Sequence, residues 1–144
     1  MIGWRARFGI ISPSVNSTTE TKFYRCIPEG VNAHFTRMEF KETTPEYFER
    51  MIQDISSGAR MLSHANIDAT IFACTSGSLC SLYGGLGCDQ KIISQRKAHF
   101  DIAVSTTSMA ATEAFRILGI KNIAVATFYE AWVDKLVKDF FEGR

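Results

Sequence analysis

Short apolar runs alternate with segments of helical periodicity along the whole chain, and that alternation limits the fold more than any other feature. Ala6-Arg7-Phe8-Gly9-Ile10-Ile11 reads as a first strand that stops at Ser12-Pro13-Ser14. Ser17-Thr18-Thr19-Glu20 then gives a helix start, with a hydroxyl near the N-cap and an acid in the first turn. Val31 to Met38 reads as a second strand. Thr44-Pro45-Glu46 opens a second helix with hydroxyl cap, proline at the first position and acid next. Its apolar positions Phe48, Met51, Ile52, Ile55, Ala59 and Leu62 recur at intervals of three and four, which predicts a helix to about His64.

A third strand runs from Ile67 into Cys74, a fourth covers Asp101-Ile102-Ala103-Val104, and a fifth covers Asn122 to Thr127. Between them Gly84-Gly85-Leu86-Gly87 breaks the chain before a short helix over Asp89–His99, and a further helix over Thr107–Leu118 is closed by Gly119. The last helix carries Tyr129, Trp132, Val133, Leu136, Val137 and Phe140 on one stripe before Gly143. Strands separated by helices predict an α/β fold, a parallel sheet with helices on both faces. Ligands of such sheets bind beyond the carboxyl ends of the strands, where strand order reverses. That rule selects Ser12 to Ser17, Cys74 to Ser78 and Thr127 to Tyr129.

Composition narrows the function classes. The chain has 144 residues, 46% hydrophobic and 22% charged, with a formal net charge of +1, enough for one ordinary domain with a real core. Without a basic run, no nucleic-acid surface is expected. No apolar stretch reaches the roughly 18 residues that span a bilayer, and the N-terminus lacks a secretory apolar region, so no membrane partner and a cytoplasmic location are expected. There the four cysteines, Cys26, Cys74, Cys80 and Cys88, are expected as reduced thiols. None forms a C-x-x-C pair and no Cys/His group has zinc spacing, so no metal site is expected. There is no G-x-G-x-x-G after the first strand and no Walker A motif, and the glycine-rich stretch has the wrong spacing for a nucleotide. Cys74 lacks the downstream arginine of a cysteine phosphatase and is not part of a G-x-S-x-G elbow.

The remaining signal is Ala73-Cys74-Thr75-Ser76-Gly77-Ser78. A helix beginning at Thr75 turns free amides and the positive end of its dipole toward the strand-end cleft, where a carboxylate fits. The same field is expected to lower the Cys74 pKa and favour the thiolate. Asn16 and Tyr129 add neutral hydrogen-bonding groups from neighbouring loops. A cysteine at a strand end is also an ordinary core residue, and these residues leave both readings open. His34, His64 and His99 are dispersed and read as surface or satisfied histidines. Arg37 could touch a carboxylate or pair with Glu39 or Glu42, whereas Glu42, Glu46 and Glu49 read as a solvated face.

Three stretches, FGIISPSVNSTTE at 8–20, IDATIFACTSGS at 67–78 and TTSMAATEAFRILGIKNIAVATFYEAWV at 106–133, resemble the maleate isomerase and arylmalonate decarboxylase branch of the aspartate/glutamate racemase superfamily. The resemblance implies a flavodoxin-like half of a two-half fold around a cleft, each half contributing one cysteine position, with no cofactor. It implies that Cys74 is the first-half cysteine that attacks the maleate double bond. Decarboxylases of the branch carry glycine there, which favours the isomerase or racemase side. Thr75 and Ser76 match carboxylate-holding donors, Asn16 the first-loop asparagine, and Tyr129 a ligand-bonding tyrosine. A small dicarboxylate substrate and a homo-oligomer follow as expectations, with a racemase, a decarboxylase or a non-catalytic carboxylate-binding half as alternatives.

Two departures accompany the likeness. Phe128 stands where the family has proline, and the second-half cysteine has no counterpart; Cys80 and Cys88 read as packing residues rather than replacements. The expected organisation is a first half-domain over 1–108 and the start of a second half over 109–144. A piece of a longer protein is preferred to a natural half-length chain. The fifth strand belongs either to the main sheet or to that second half. In the latter case the stripe with Trp132, Phe140 and Phe141 is expected as an exposed apolar or self-association surface.

Overall fold

The computed structural model describes residues 2–79 and 102–143. The Gly84–Gly87 break, the helix expected at Asp89–His99, Asp101, Cys80, Cys88 and His99 lie outside the described residues, as do the side chains of Phe48, Glu49 and Ile52. The order is β1 (Ala6–Pro13), α1 (Thr19–Cys26), β2 (Val31–Met38), α2 (Pro45–Ser63), β3 (Ala69–Phe72), α3 (Thr75–Leu79), β4 (Ala103–Thr106), α4 (Thr107–Ile117) and α5 (Ala131–Glu142). The four strands form one parallel sheet in the order β2-β1-β3-β4. The fold is α/β, as the alternation predicts.

Register follows from which residues the two faces bury. Ile11 pairs with Thr36 on one side and Phe72 on the other. Ile11 and Phe72 sit fully buried in one core with Met51, Ile55 and Ala59 of α2. The expected α2 stripe thus meets the sheet wherever its side chains are described. The Thr44 hydroxyl caps α2 by accepting from the Tyr47 amide at 3.4 Å, with Pro45 in the first turn. On α1, Phe23 makes edge contacts with Phe8 and Phe35, and the Tyr24 hydroxyl donates to the Ala33 carbonyl at 2.6 Å.

Four expectations change. The fourth strand is Ala103–Thr106, two residues later than read, because Thr106 closes the ladder opposite Phe72 and then caps α4 by accepting from the Met109 amide. The α1 cap is not the Ser17 or Thr18 hydroxyl: Asn16 Oδ1 accepts from both Thr18 and Thr19 amides, at 3.1 and 2.9 Å. Residues 122–127 form no strand and stay exposed, although Ile123-Ala124-Val125 has strand propensity. Such propensity is realised only against a partner ladder, and β4 remains the sheet's last strand among the described residues.

The fourth change concerns the last helix. Its stripe is not exposed: Val133, Val137 and Phe140 are buried, and Phe140 packs in a second core with Leu79 of α3, Tyr129 and Phe141. Trp132 and Leu136 pack against the main core. Exposed apolar area lies instead on Ile117, Leu118, Ile123, Val125 and Phe128. Gly119 does close α4, at φ +66°, with the Ile120 amide reaching back to the Phe115 carbonyl at 2.9 Å.

Candidate functional site

The switch in strand order falls between β1 and β3, so the loops leaving their carboxyl ends face a common cleft. That cleft has a volume of about 710 Å³. It brings together all five residues expected from the sequence: Asn16, Cys74, Thr75, Ser76 and Tyr129.

Cys74 sits at its floor, 6% exposed. The preceding Ala73 amide still donates to the Ile11 carbonyl at 2.8 Å, so the sheet holds the backbone up to the cysteine. Thr75 then turns the chain into α3. In a first helical turn the leading amides have no intrahelical acceptor, and the Gly77 amide donates to Cys74 Sγ at 3.4 Å. Ser76 Oγ lies 3.8 Å from the same sulfur. Glycine leaves room around that approach. A Cβ at position 77 would collide with Met51 Cε, and would lie 3.0 Å from Cys74 Sγ and 3.3 Å from Phe72 Cζ.

The expected lowering of the Cys74 pKa is reversed. Burial strips water from the sulfur and pushes the thiol above its ordinary value, and the opposing bonds from Gly77 and Ser76 only offset part of that. Burial thus makes Cys74 keep its proton to higher pH than an ordinary thiol, while the Gly77 amide donates to the sulfur. Thr75 is exposed and Ser76 buried, which gives the cleft one wet and one dry hydroxyl above the sulfur.

Asn16 enters from the loop after β1. Because Oδ1 is occupied by the Thr18 and Thr19 amides, the part of its carboxamide left for a ligand is the NH₂ donor. Tyr129 precedes α5 rather than lying on it. Its amide donates to Thr127 Oγ1 at 3.2 Å, and that hydroxyl donates to Asp134 of α5, which ties the Tyr129 loop to the helix. Phe128, at the position where proline was expected, lines the cleft at 94% exposure, its ring centroid 5.0 Å from that of Tyr129.

Several lining residues were not foreseen: Phe40, Lys41 and Thr43 from the loop after β2, and Thr107 at the start of α4. The signal that finds them is the same strand-end rule, which applies to the loop after β2 as much as to the others. Lys41 is the only cation among the described lining residues, and its Nζ stands 2.5 Å from Glu39 Oε1. Thr107 is fixed by donating to the Phe72 carbonyl at 3.2 Å. Arg37 bonds neither Glu39 nor Glu42; it pairs with Glu20 at 2.7 Å. His34 is half-buried and His64 exposed, and neither lines the cleft. No group of three or more His, Cys, Asp or Glu side chains with metal-holding geometry occurs among the described residues. No described helix is long and apolar enough to cross a membrane.

Solved structures share this arrangement of strands and helices. Maleate isomerase from Pseudomonas putida is 28% identical with a TM-score of 0.79, over 96% of this chain and 59% of that one. A cysteine-to-serine mutant of Nocardia farcinica maleate cis-trans isomerase, carrying a covalently bound succinylcysteine intermediate, is 23% identical with a TM-score of 0.80, over 95% and 58%. A glycine-to-cysteine, cysteine-to-serine double mutant of arylmalonate decarboxylase in its liganded form is 22% identical with a TM-score of 0.83, over 96% and 57%. The chain thus spans less than three fifths of the length of these proteins. No curated protein sequence matches. The arylmalonate decarboxylase family model matches residues 8–144, the stretch that holds the sheet, the cysteine turn and the Tyr129 loop, and the chain belongs to that family.

Proposed function

We propose that the chain carries the cysteine half of a cofactor-independent cis-trans isomerase that converts a small dicarboxylate, maleate, to fumarate through the Cys74 thiolate. The observation that carries this reading is the pairing of Cys74 Sγ with the Gly77 amide on the floor of a cleft that also presents Thr75, Ser76, Asn16 and Tyr129. Relatives support it: the Pseudomonas putida maleate isomerase is also known as a variant with maleate, and the Nocardia farcinica variant holds its succinylcysteine covalently. Cysteine rather than glycine at position 74 favours isomerisation over decarboxylation within the resemblance described above.

The chemistry needs few parts. Cys74 passes its proton to solvent water, to be taken back when the expelled thiolate is reprotonated, and the sulfur electron pair forms an S–C bond to one alkene carbon. The π electrons move onto the adjacent carboxylate as an enediolate, whose charge the Thr75 and Ser76 hydroxyls and the Asn16 NH₂ are suited to stabilise. The former double bond, now single, rotates. Collapse of the enediolate expels the thiolate and leaves the trans alkene, with no net proton or electron consumed. Within this proposal, residues 1–108 form the cysteine half and 109–144 begin a second half. The working form contains more than one copy.

A second reading is a carboxylate-binding half-domain without turnover, favoured by the burial of the thiol, which raises its pKa and disfavours the thiolate. Proton NMR of the chain with maleate separates the two. Fumarate that appears with the native chain and not with Cys74→Ser supports the isomerase. Saturable maleate binding with no fumarate supports the second reading, and neither binding nor turnover removes both.

A further inference from the structure

Arg37 stands at the carboxyl end of β2, paired in register with Ser12 of β1. Arg37 is not among the residues that line the cleft, and its ion pair is with Glu20 rather than with the nearby acids Glu39 and Glu42. Nη1 lies 2.5 Å from the Asn16 carbonyl, with the Ser14 and Pro13 carbonyls around it at 3.3 and 3.4 Å. Nη2 bonds Glu20 of α1 at 2.7 Å. One side chain thus gathers the backbone oxygens of Pro13 at the end of β1 and of Ser14 and Asn16 in the loop after it, and pins that loop to the helix that follows.

We propose that Arg37 is the positioning residue of the carboxylate site, holding the 13–16 loop so that the Asn16 NH₂ meets the ligand. The proposal rests on the carboxylate-binding reading above. Two features make the arginine effective. Its planar fork serves several acceptors at once, which a lysine point charge cannot do with the same geometry. It also draws three carbonyl oxygens to itself, and those oxygens would otherwise repel an anion in a cleft built to hold one. Because trans peptides point N–H and C=O in opposite directions, the Val15 and Ser17 amides turn away from the guanidinium. The ion pair with Glu20 is half exposed and adds little stability of its own. What it fixes is geometry: the Asn16 carboxamide caps α1 through Oδ1, and this leaves NH₂ outward only while loop and helix keep their relation.

Hydrogen exchange and maleate binding, measured on the full chain with Arg37→Met, Arg37→Lys and Asn16→Ala, test this. In the native chain the Thr18 and Thr19 amides are expected to be protected, because Asn16 Oδ1 accepts from both. Arg37→Met is expected to lose that protection and to weaken maleate binding about tenfold, the share of one hydrogen bond to a charged group. Arg37→Lys is expected to restore part of both, and Asn16→Ala to weaken binding by a similar factor. Unchanged Thr18 and Thr19 protection in Arg37→Met overturns the proposal, whether or not maleate binds. If the native chain ignores maleate while protection still depends on Arg37, the ligand assignment fails and the positioning role stands.

Discussion

The Gly77 amide and the Cys74 sulfur face each other across 3.4 Å, and a Cβ at position 77 would crowd that sulfur at 3.0 Å. The sulfur is held by a backbone donor that cannot rotate away, in a turn fixed below by the sheet and flanked by Met51 and Phe72. The proposed role of Cys74 rests on this relation, at a residue that also belongs to the main core.

Gly77→Ala tests it directly. Alanine is favoured over glycine in a helix by about 1 kcal/mol. Met51 Cε can swing aside, but Cys74 Sγ and the Phe72 ring are packed against the floor. The net expectation is destabilisation by about 1–3 kcal/mol, the usual cost of overpacking, read from the urea midpoint. The displaced sulfur should also alkylate only at higher pH than in the native chain.

The raised thiol pKa sets the direction of two pH effects. Thiol alkylation follows the thiolate, so in the ligand-free chain exposed Cys26 is expected to react before Cys74 at pH 7, and Cys74 to gain rate as pH rises past its ordinary value of 9.0. Isomerisation should rise over the same range. A folded-state pKa above the unfolded one means that the folded chain holds its proton longer. Stability is therefore full below the unfolded pKa and lost as pH climbs toward the folded one. Cys74→Ala should flatten that alkaline decline in denaturant titrations.

Lys41 offers a charge test. It is the only cation among the described lining residues and is paired with Glu39, so under the proposed function it would meet a second carboxylate only by leaving that pair. Lys41→Met is expected to raise KM for maleate several-fold while changing Ki for a monocarboxylate inhibitor little. Equal effects on both would make Lys41 a general contributor to potential rather than a partner of the second carboxylate.

The start of α4 is a structural control. Thr106 Oγ1 accepts from the Met109 amide at 3.2 Å and lies 3.1 Å from Ser108 Oγ, all in a buried corner. Thr106→Val keeps the shape and removes the cap, and should cost about 1 kcal/mol in thermal or urea unfolding, without changing thiol reactivity.

Much of this was legible in the chain because it is local. The α2 cap at Thr44, the stripe through Met51, Ile55 and Ala59, and the Gly119 stop depend on residues a few positions apart. The five cleft residues followed from strand ends and from resemblance. What stayed hidden depends on distant partners. Ile123 and Val125 have strand chemistry and join no ladder among the described residues, while Phe140 is buried by Leu79, far away in sequence. The Arg37 fork had Glu39 and Glu42 as nearer candidates and took Glu20 through the fold. The Cys74 pKa was misread because the helix amide was weighed and the 6% exposure, a property of packing, was not.

The most direct test of Cys74 as nucleophile is peptide mapping by mass spectrometry after incubation with maleate and an acid quench. Quenching traps the thiolate adduct by adding a solvent proton to the neighbouring carbon, which leaves a succinyl group on sulfur. The account predicts that group on the peptide containing Cys74 during turnover, its absence in Cys74→Ser, and no comparable modification of Cys26. Fumarate formation with Cys74 unmodified throughout, or with Cys74→Ser as active as the native chain, would contradict it.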